Sequence, residues 1–277
     1  MHKNMASSVR LIATDLDGTL LTSGTQVSPR TRQALDAARA AGILVVPVTA
    51  RQPIGLRAVA ADADFTQWAL CGNGAFGIHL TTSQVLFAEE IPTGVQARLA
   101  TELTQRVDGL RFASVRDAGE VFIAQEGYAA LAHHFDHKRD PATMSGVQLD
   151  DVVSEPSLKL VVRHPEISPA ELYETVRSMP LDGFEATLSG APFVEIMAAG
   201  VTKASGLARL CTHLGVAQHE VVAFGDAAND REMLRWAGHG IAMANAVPEA
   251  LSAADQVAMS NDDDGVARII EALLDAR

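Results

Sequence analysis

The chain has 277 residues, 48% of them hydrophobic but only 5% aromatic, and carries a formal charge of −12. That length suits one large domain or two modest ones with an aliphatic core. The acidic balance, without a clustered basic stripe, excludes nucleic acid and anionic membrane as partners, so an anionic substrate would need a local positive site or a metal.

The segment MHKNMASSVR has no apolar h-region, so no signal peptide is expected there. No apolar run is long enough to span a bilayer. The two cysteines, Cys71 and Cys211, suggest neither a disulfide framework nor a zinc site, and Cys211 shares an apolar helical stripe with Leu207, Leu210 and Leu214. A reducing cytoplasm is the expected location.

From Val9 the pattern alternates strand and helix. Residues 9–14 read as a buried strand. Residues 28–42 read as a helix, capped by Ser28, opened by Pro29 and stopped by Gly42. A second buried strand covers 43–49, a short helix 54–61, and a third strand 68–71. Such βαβ runs predict a parallel sheet with right-handed crossovers. From about Gly77 to Gly190 the texture changes to strands at 84–91, 120–125 and 158–164, with helices at 93–107, 127–137 and 168–179. After Val194 the first texture returns: a helix at 201–215, a strand at 220–226, a helix at 229–238, short strands near 239–244 and 255–260, and a closing helix at 263–276. The expected fold is α/β, a Rossmann-like doubly wound parallel sheet core (1–80 and 191–277) with an inserted α+β domain (81–190).

Open parallel sheets place their chemistry at strand carboxyl ends. The first strand ends in Asp15 and Asp17, the second in Thr49, and the strand after the insertion in Asp226, with Asn229 and Asp230 just beyond. On an extended chain, two acids two residues apart point to the same side. Gly18 then allows a sharp turn and Thr19 can tie the loop down. Four converging carboxylates repel unless a cation sits among them, and hard oxygen donors around a partly open site favour Mg²⁺. Lys203 opens a helix, where the macrodipole disfavours positive charge. It reads either as a solvated surface lysine or as one facing the acids or an anion.

DLDGT (Asp15–Thr19), Thr49, Lys203 and GDAAND (Gly225–Asp230) resemble the four ordered motifs of the haloacid dehalogenase-like phosphatases. NGA (Asn73–Ala75), GIAMANA (Gly240–Ala246) and NDDDGVARII (Asn261–Ile270) are similar to the Cof-type subfamily, whose C2B α+β cap lies between the second and third motifs. The resemblance implies that Asp15 attacks phosphorus to form an aspartyl phosphate, and that Asp17 serves as general acid and base. Mg²⁺ would be held by Asp15, the Asp17 carbonyl and Asp226. Phosphate oxygens would be held by Thr49, Lys203, Asn229 and the backbone amides of Leu16 and Ala50, while Asp230 orients Lys203 or a metal-bound water. Ala50 stands where family members often have Gly.

The activity implied is Mg²⁺-dependent hydrolysis of a small phosphorylated metabolite, sugar phosphates being the commonest class. Alternatives are a phosphotransferase or phosphomutase on the same fold, or a non-catalytic regulatory binding protein. The intact set Asp15, Asp17, Thr49, Lys203, Asp226 and Asn229 argues against the last.

Three further patterns have plainer readings. GNGAFG (Gly72–Gly77) has dinucleotide-loop spacing, but a β-hairpin rather than a helix is expected after it. Ser260–Glu271 approaches calcium-loop spacing, yet begins with Ser and follows no helix, so it reads as an acidic start to the last helix. His133, His134 and His137 read as exposed histidines of an inserted-domain helix rather than as zinc ligands.

Overall fold

Strands form where aliphatic runs are short and bounded by turn residues, and the order is fixed by what lies between them. In the computed structural model, which describes residues 8–137, 139–144 and 146–277, the elements run β1 (Leu11–Thr14), α1 (Pro29–Ala40), β2 (Leu44–Pro47), α2 (Pro53–Ala63), β3 (Trp68–Cys71), β4 (Phe76–His79), β5 (Val85–Ala88), α3 (Thr93–Arg106), β6 (Arg111–Arg116), β7 (Val121–Ala124), β8 (Lys159–Arg163), α4 (Pro169–Arg177), β9 (Phe184–Thr187), β10 (Val194–Ala198), α5 (Lys203–Leu214), β11 (Val221–Gly225), α6 (Arg231–Trp236), β12 (His239–Ala242), β13 (Gln256–Val257) and α7 (Gly265–Asp275). The reading that no signal peptide begins the chain falls mostly on residues 1–7, outside those described. Among the described residues no helix is long and apolar enough to cross a membrane.

Contacts divide the chain into two compact units. One comprises residues up to 50, 56–86 and 202–277, the other 51–55 and 87–201. These limits differ from 80/81 and 190/191 in the sequence reading. The hairpin through β5 starts from the first unit, and β10 pairs antiparallel with β8 and β9, so it belongs to the inserted sheet.

The first unit holds a parallel sheet in the order β13-β12-β11-β1-β2. The chain leaves β1 towards β2 on one side and returns through β11 to β12 and β13 on the other. The strand order therefore reverses between β1 and β11, where doubly wound sheets open a crevice beyond the strand ends. Thr14 lies opposite Phe224 in register, and the Asp15 amide donates to the Phe224 carbonyl at 3.0 Å. The register therefore sets Asp15 beside Gly225, with Asp226 one residue further on. Helix α1 begins as expected: the Ser28 side chain accepts from the Thr31 amide and Pro29 follows. β3 pairs with the parallel sheet through the isolated Val48–Leu70 bridge and heads the antiparallel sheet β3-β4-β5. A hairpin, not a nucleotide-binding helix, follows GNGAFG.

The second unit holds an antiparallel sheet, β7-β6-β8-β10-β9. The helix expected over 127–137 does not form. A 3₁₀ turn at Ala129–Leu131 and a single α-turn at His134–His137 take its place. Burial of Tyr128 and Ala132 against Ala113, Ala124, Val161 and Phe193 overrides the local helical preference. His137 is folded inward, not exposed: its ring stacks on Phe193 at 4.7 Å and its Nε2 meets the Tyr128 hydroxyl at 2.7 Å.

Candidate active site

The loop after β1 is not extended. Turns close from the Thr19 and Leu21 amides back onto the Leu16 carbonyl, at 3.2 and 2.9 Å. The extended backbone assumed for Asp15 and Asp17 is therefore absent: Asp15 is buried at 5% exposure while Asp17 is exposed, its charge still acting on Asp226. Gly18 turns the chain at φ +82°, and a Cβ there would strike the Asp226 carboxylate. Thr19 is buried and donates its hydroxyl to Asp226 Oδ1 at 2.7 Å. Among the described residues no protein group accepts from the Leu16 amide.

Lys203 is the first residue of α5, preceded by the Thr202 cap. It is 1% exposed, so the solvated-surface reading is overturned. Its Nζ donates to Asp15 Oδ1 and Asp230 Oδ1, both at 2.6 Å. Asp230 spends its other oxygen, Oδ2, on the backbone amides of Asp226 and Ala227, each at 2.9 Å. Burial opposes the lysine's charge, but Asp15 and Asp230 more than offset this and hold its pKa above the usual lysine value.

One ammonium does not balance the acids. Asp15, Asp226 and Asp230 each place a carboxylate oxygen within 4.8 Å of the others. Burial raises Asp15 well above the usual carboxylate range, Lys203 pulls it down, and repulsion from Asp230 and Asp226 raises it again. Asp226 is raised to about 6 by burial, resisted by the Thr19 hydrogen bond and reinforced by Asp230. Asp230 is spent on Lys203 and two amides, which leaves Asp15 Oδ2 and Asp226 Oδ2 without hydrogen-bond donors among the described residues. Two unshared carboxylate oxygens, a glycine gap beside one of them, and uncompensated negative charge fit a hard divalent cation. Asp15, Asp226 and Asp230 are the only cluster of three or more His, Cys, Asp or Glu ligands found among the described residues, and the 133–137 histidines form none.

Thr49 is buried. Its amide donates to Leu70 and its carbonyl accepts from the Asn73 amide at 3.0 Å. Ala50 follows it in a bend, half-buried. Asn229 is 6% exposed; its Nδ2 donates to Asn73 Oδ1 at 2.9 Å, and its Oδ1 is buried without a partner.

Several contributors lie outside the four motifs. Asn245 donates to the Gly18 carbonyl at 2.8 Å and accepts from the Asn261 amide at 3.1 Å, and the Asn261 side chain donates to the Leu21 carbonyl at 2.8 Å. Asp262 accepts from the Ser23 amide and Asp264 from the Ser28 hydroxyl, at 2.7 and 2.5 Å. The acidic turn before α7 thus straps the loop after β1. Gly74 and Gly206 permit the close approach of the 72–74 turn to the start of α5: a Cβ on Gly74 would strike the Thr202 carbonyl, and one on Gly206 the backbone of Gly74. NGA, GIAMANA and NDDDG were the visible signals, but nothing in them told which loop each would hold.

The sequence matches the haloacid dehalogenase-like hydrolase family over residues 12–270. Phosphatase YwpJ of Bacillus subtilis is 28% identical, over 96% of this chain and 100% of its own. The HMP-PP phosphatase of Cronobacter sakazakii is 28% identical over 88% of this chain and 87% of its own. A haloacid dehalogenase-like hydrolase from Bacteroides thetaiotaomicron, 27% identical, superposes with a TM-score of 0.76 over 96% of this chain and 99% of that one.

Proposed function

The chain belongs to the haloacid dehalogenase-like hydrolases and is a phosphatase, and from that premise we propose that it hydrolyses a small phosphorylated metabolite, of the sugar phosphate class, through an aspartyl phosphate on Asp15 with Mg²⁺ as cofactor. The observation that carries the reading is the divided carboxylate of Asp15: Oδ1 is held by Lys203 at 2.6 Å while Oδ2 has no donor among the described residues. A carboxylate so held can attack phosphorus without a base to activate it.

The cation would be held by Asp15, Asp226 and the Asp17 carbonyl. When bound, it supplies charge neutralisation that lets a carboxylate approach an anion. Lys203, the Thr49 hydroxyl, the second Nδ2 hydrogen of Asn229 and the amides of Leu16 and Ala50 hold the phosphoryl oxygens and stabilise the charge spread over them. Asp17, exposed at the loop, protonates the leaving oxygen, then takes a proton from the water that cleaves the Asp15–phosphate bond. Asp230 orients Lys203 and keeps it charged. The HMP-PP phosphatase relative supports a small-molecule phosphate, and two buried cysteines outside any disulfide suit a reducing cytoplasm.

Release of phosphate from p-nitrophenyl phosphate and a panel of sugar phosphates, with Mg²⁺ and with excess chelator, tests this. Turnover is expected with Mg²⁺ alone. Full activity in chelator, with metal content checked, would contradict the cofactor assignment.

A further inference from the structure

The four-motif reading makes no use of Asn73. The turn Gly72–Asn73–Gly74 has three successive residues at positive φ, +58°, +60° and +91°. Glycine is the easy choice at every one of these positions, and the middle one nevertheless carries a side chain. That side chain is buried, at 1% exposure, and its Oδ1 accepts the Asn229 Nδ2 at 2.9 Å. Its backbone amide donates to the Thr49 carbonyl at 3.0 Å. The next residue, Gly74, lies against the Thr202 carbonyl, immediately before Lys203. One three-residue turn therefore touches the segments carrying Thr49, Lys203 and Asn229.

We propose that Asn73 is a positioning residue for phosphoryl transfer, acting through Asn229. A primary amide can turn over and present either its N–H or its C=O to a neighbour. If Asn229 turned its oxygen towards the phosphoryl group, two acceptors would face each other. The Asn73 acceptor holds one Nδ2 hydrogen, which fixes the amide plane, leaves the other hydrogen for the phosphoryl oxygen, and keeps Asn229 Oδ1 on the opposite side. In that place Oδ1 has no partner among the described residues, so a water or another donor of the loaded site must satisfy it. The inference rests on Asn229 being a phosphoryl ligand.

A double-mutant cycle tests it, with p-nitrophenyl phosphate as substrate and inorganic phosphate as competing ligand. Asn73→Gly removes the side chain at a backbone position that glycine accepts. It is expected to lower kcat about 10- to 100-fold with KM nearly unchanged and with wild-type melting. In the Asn229→Ala background the same change should cost less than about twofold, because the group it positions is gone. Inorganic phosphate should inhibit Asn73→Gly about as well as wild type, as the unchanged KM requires of a contact made in the transition state. If Asn73→Gly melts below assay temperature, Asn73→Ser, whose oxygen is one bond shorter, carries the same cycle. Wild-type kcat in Asn73→Gly, or losses that multiply in the double variant, would overturn the inference. Wild-type activity in Asn229→Ala alone would instead overturn the phosphoryl-ligand reading beneath it.

Discussion

Among the described residues each compact unit buries one lysine, and the two are used differently. In the inserted unit, Lys159 and Glu195 form an ion pair across neighbouring strands, 5% and 2% exposed. In the core unit, Lys203 faces both Asp15 and Asp230, with Asp226 close behind. The first arrangement sums to zero, and the second leaves net negative charge. A closed buried pair can be exchanged for apolar residues at little cost, whereas a buried excess charge needs another ion to complete it. The acids left uncompensated around Lys203 are the charge that the proposed cation would balance.

Removing each lysine separates the two roles. Lys203→Ala should lower kcat on p-nitrophenyl phosphate by about 10²–10³-fold or more, as expected for a donor to a transferring group. Lys203→Arg should also be crippled, since a planar fork does not fit between two carboxylates set for a compact ammonium. Near-wild-type turnover from Lys203→Ala would erase the contrast between the two sites.

Lys159→Met removes one cationic partner of the buried Glu195, and should cost up to about 3–5 kcal/mol of stability by urea unfolding. The double variant Lys159→Met/Glu195→Leu should return to wild-type stability or exceed it, with kcat per folded molecule unchanged. Collapse of kcat in a well-folded double variant would make the inserted pair part of the chemistry.

A smaller effect separates the units by pH. Burial lowers the His137 pKa to about 4, with Lys159 and Arg163 adding repulsion and Asp136 and Glu195 opposing them. The folded value lies below the ordinary histidine value of about 6.5, so the neutral ring stabilises the fold above that pH. This contribution falls away as pH drops from about 6.5 towards 4, and the gap corresponds to roughly 2–4 kcal/mol. His137→Phe should flatten that limb of the urea-unfolding profile, although it also removes one partner of the Tyr128 hydroxyl, which keeps Arg163. An unchanged slope would place the acid sensitivity elsewhere.

The sheet core and the acids at its edge were legible because strand ends, caps and ordered motifs are local signals. Ser28, Pro29 and the alternation of 9–14 with 28–42 anticipated β1 and α1 closely. What the sequence hid was non-local. Lys203 could be solvated or buried on spacing alone, and only the closeness of β1, β11 and α5 in space decides it. The exposure of Asp17 depends on the turn at Leu16. The missing helix over 127–137 reflects burial of Tyr128 and His137 winning over local preference. The strand at 194–198 joins the inserted sheet through pairing with β8 and β9, which no local pattern reveals.

The central claim is that Asp15 carries the phosphoryl group, and rapid-quench labelling tests it most directly. With labelled acetyl phosphate and Mg²⁺, wild-type enzyme should show transient acid-stable label on a peptide containing Asp15. Asp15→Asn should show none. Asp17→Asn should accumulate label, because acetate leaves acetyl phosphate as a weak base needing no proton, while breakdown still needs proton transfer worth about 10²–10⁴ in rate. Label in Asp15→Asn, or none in either wild type or Asp17→Asn during turnover, would contradict the account.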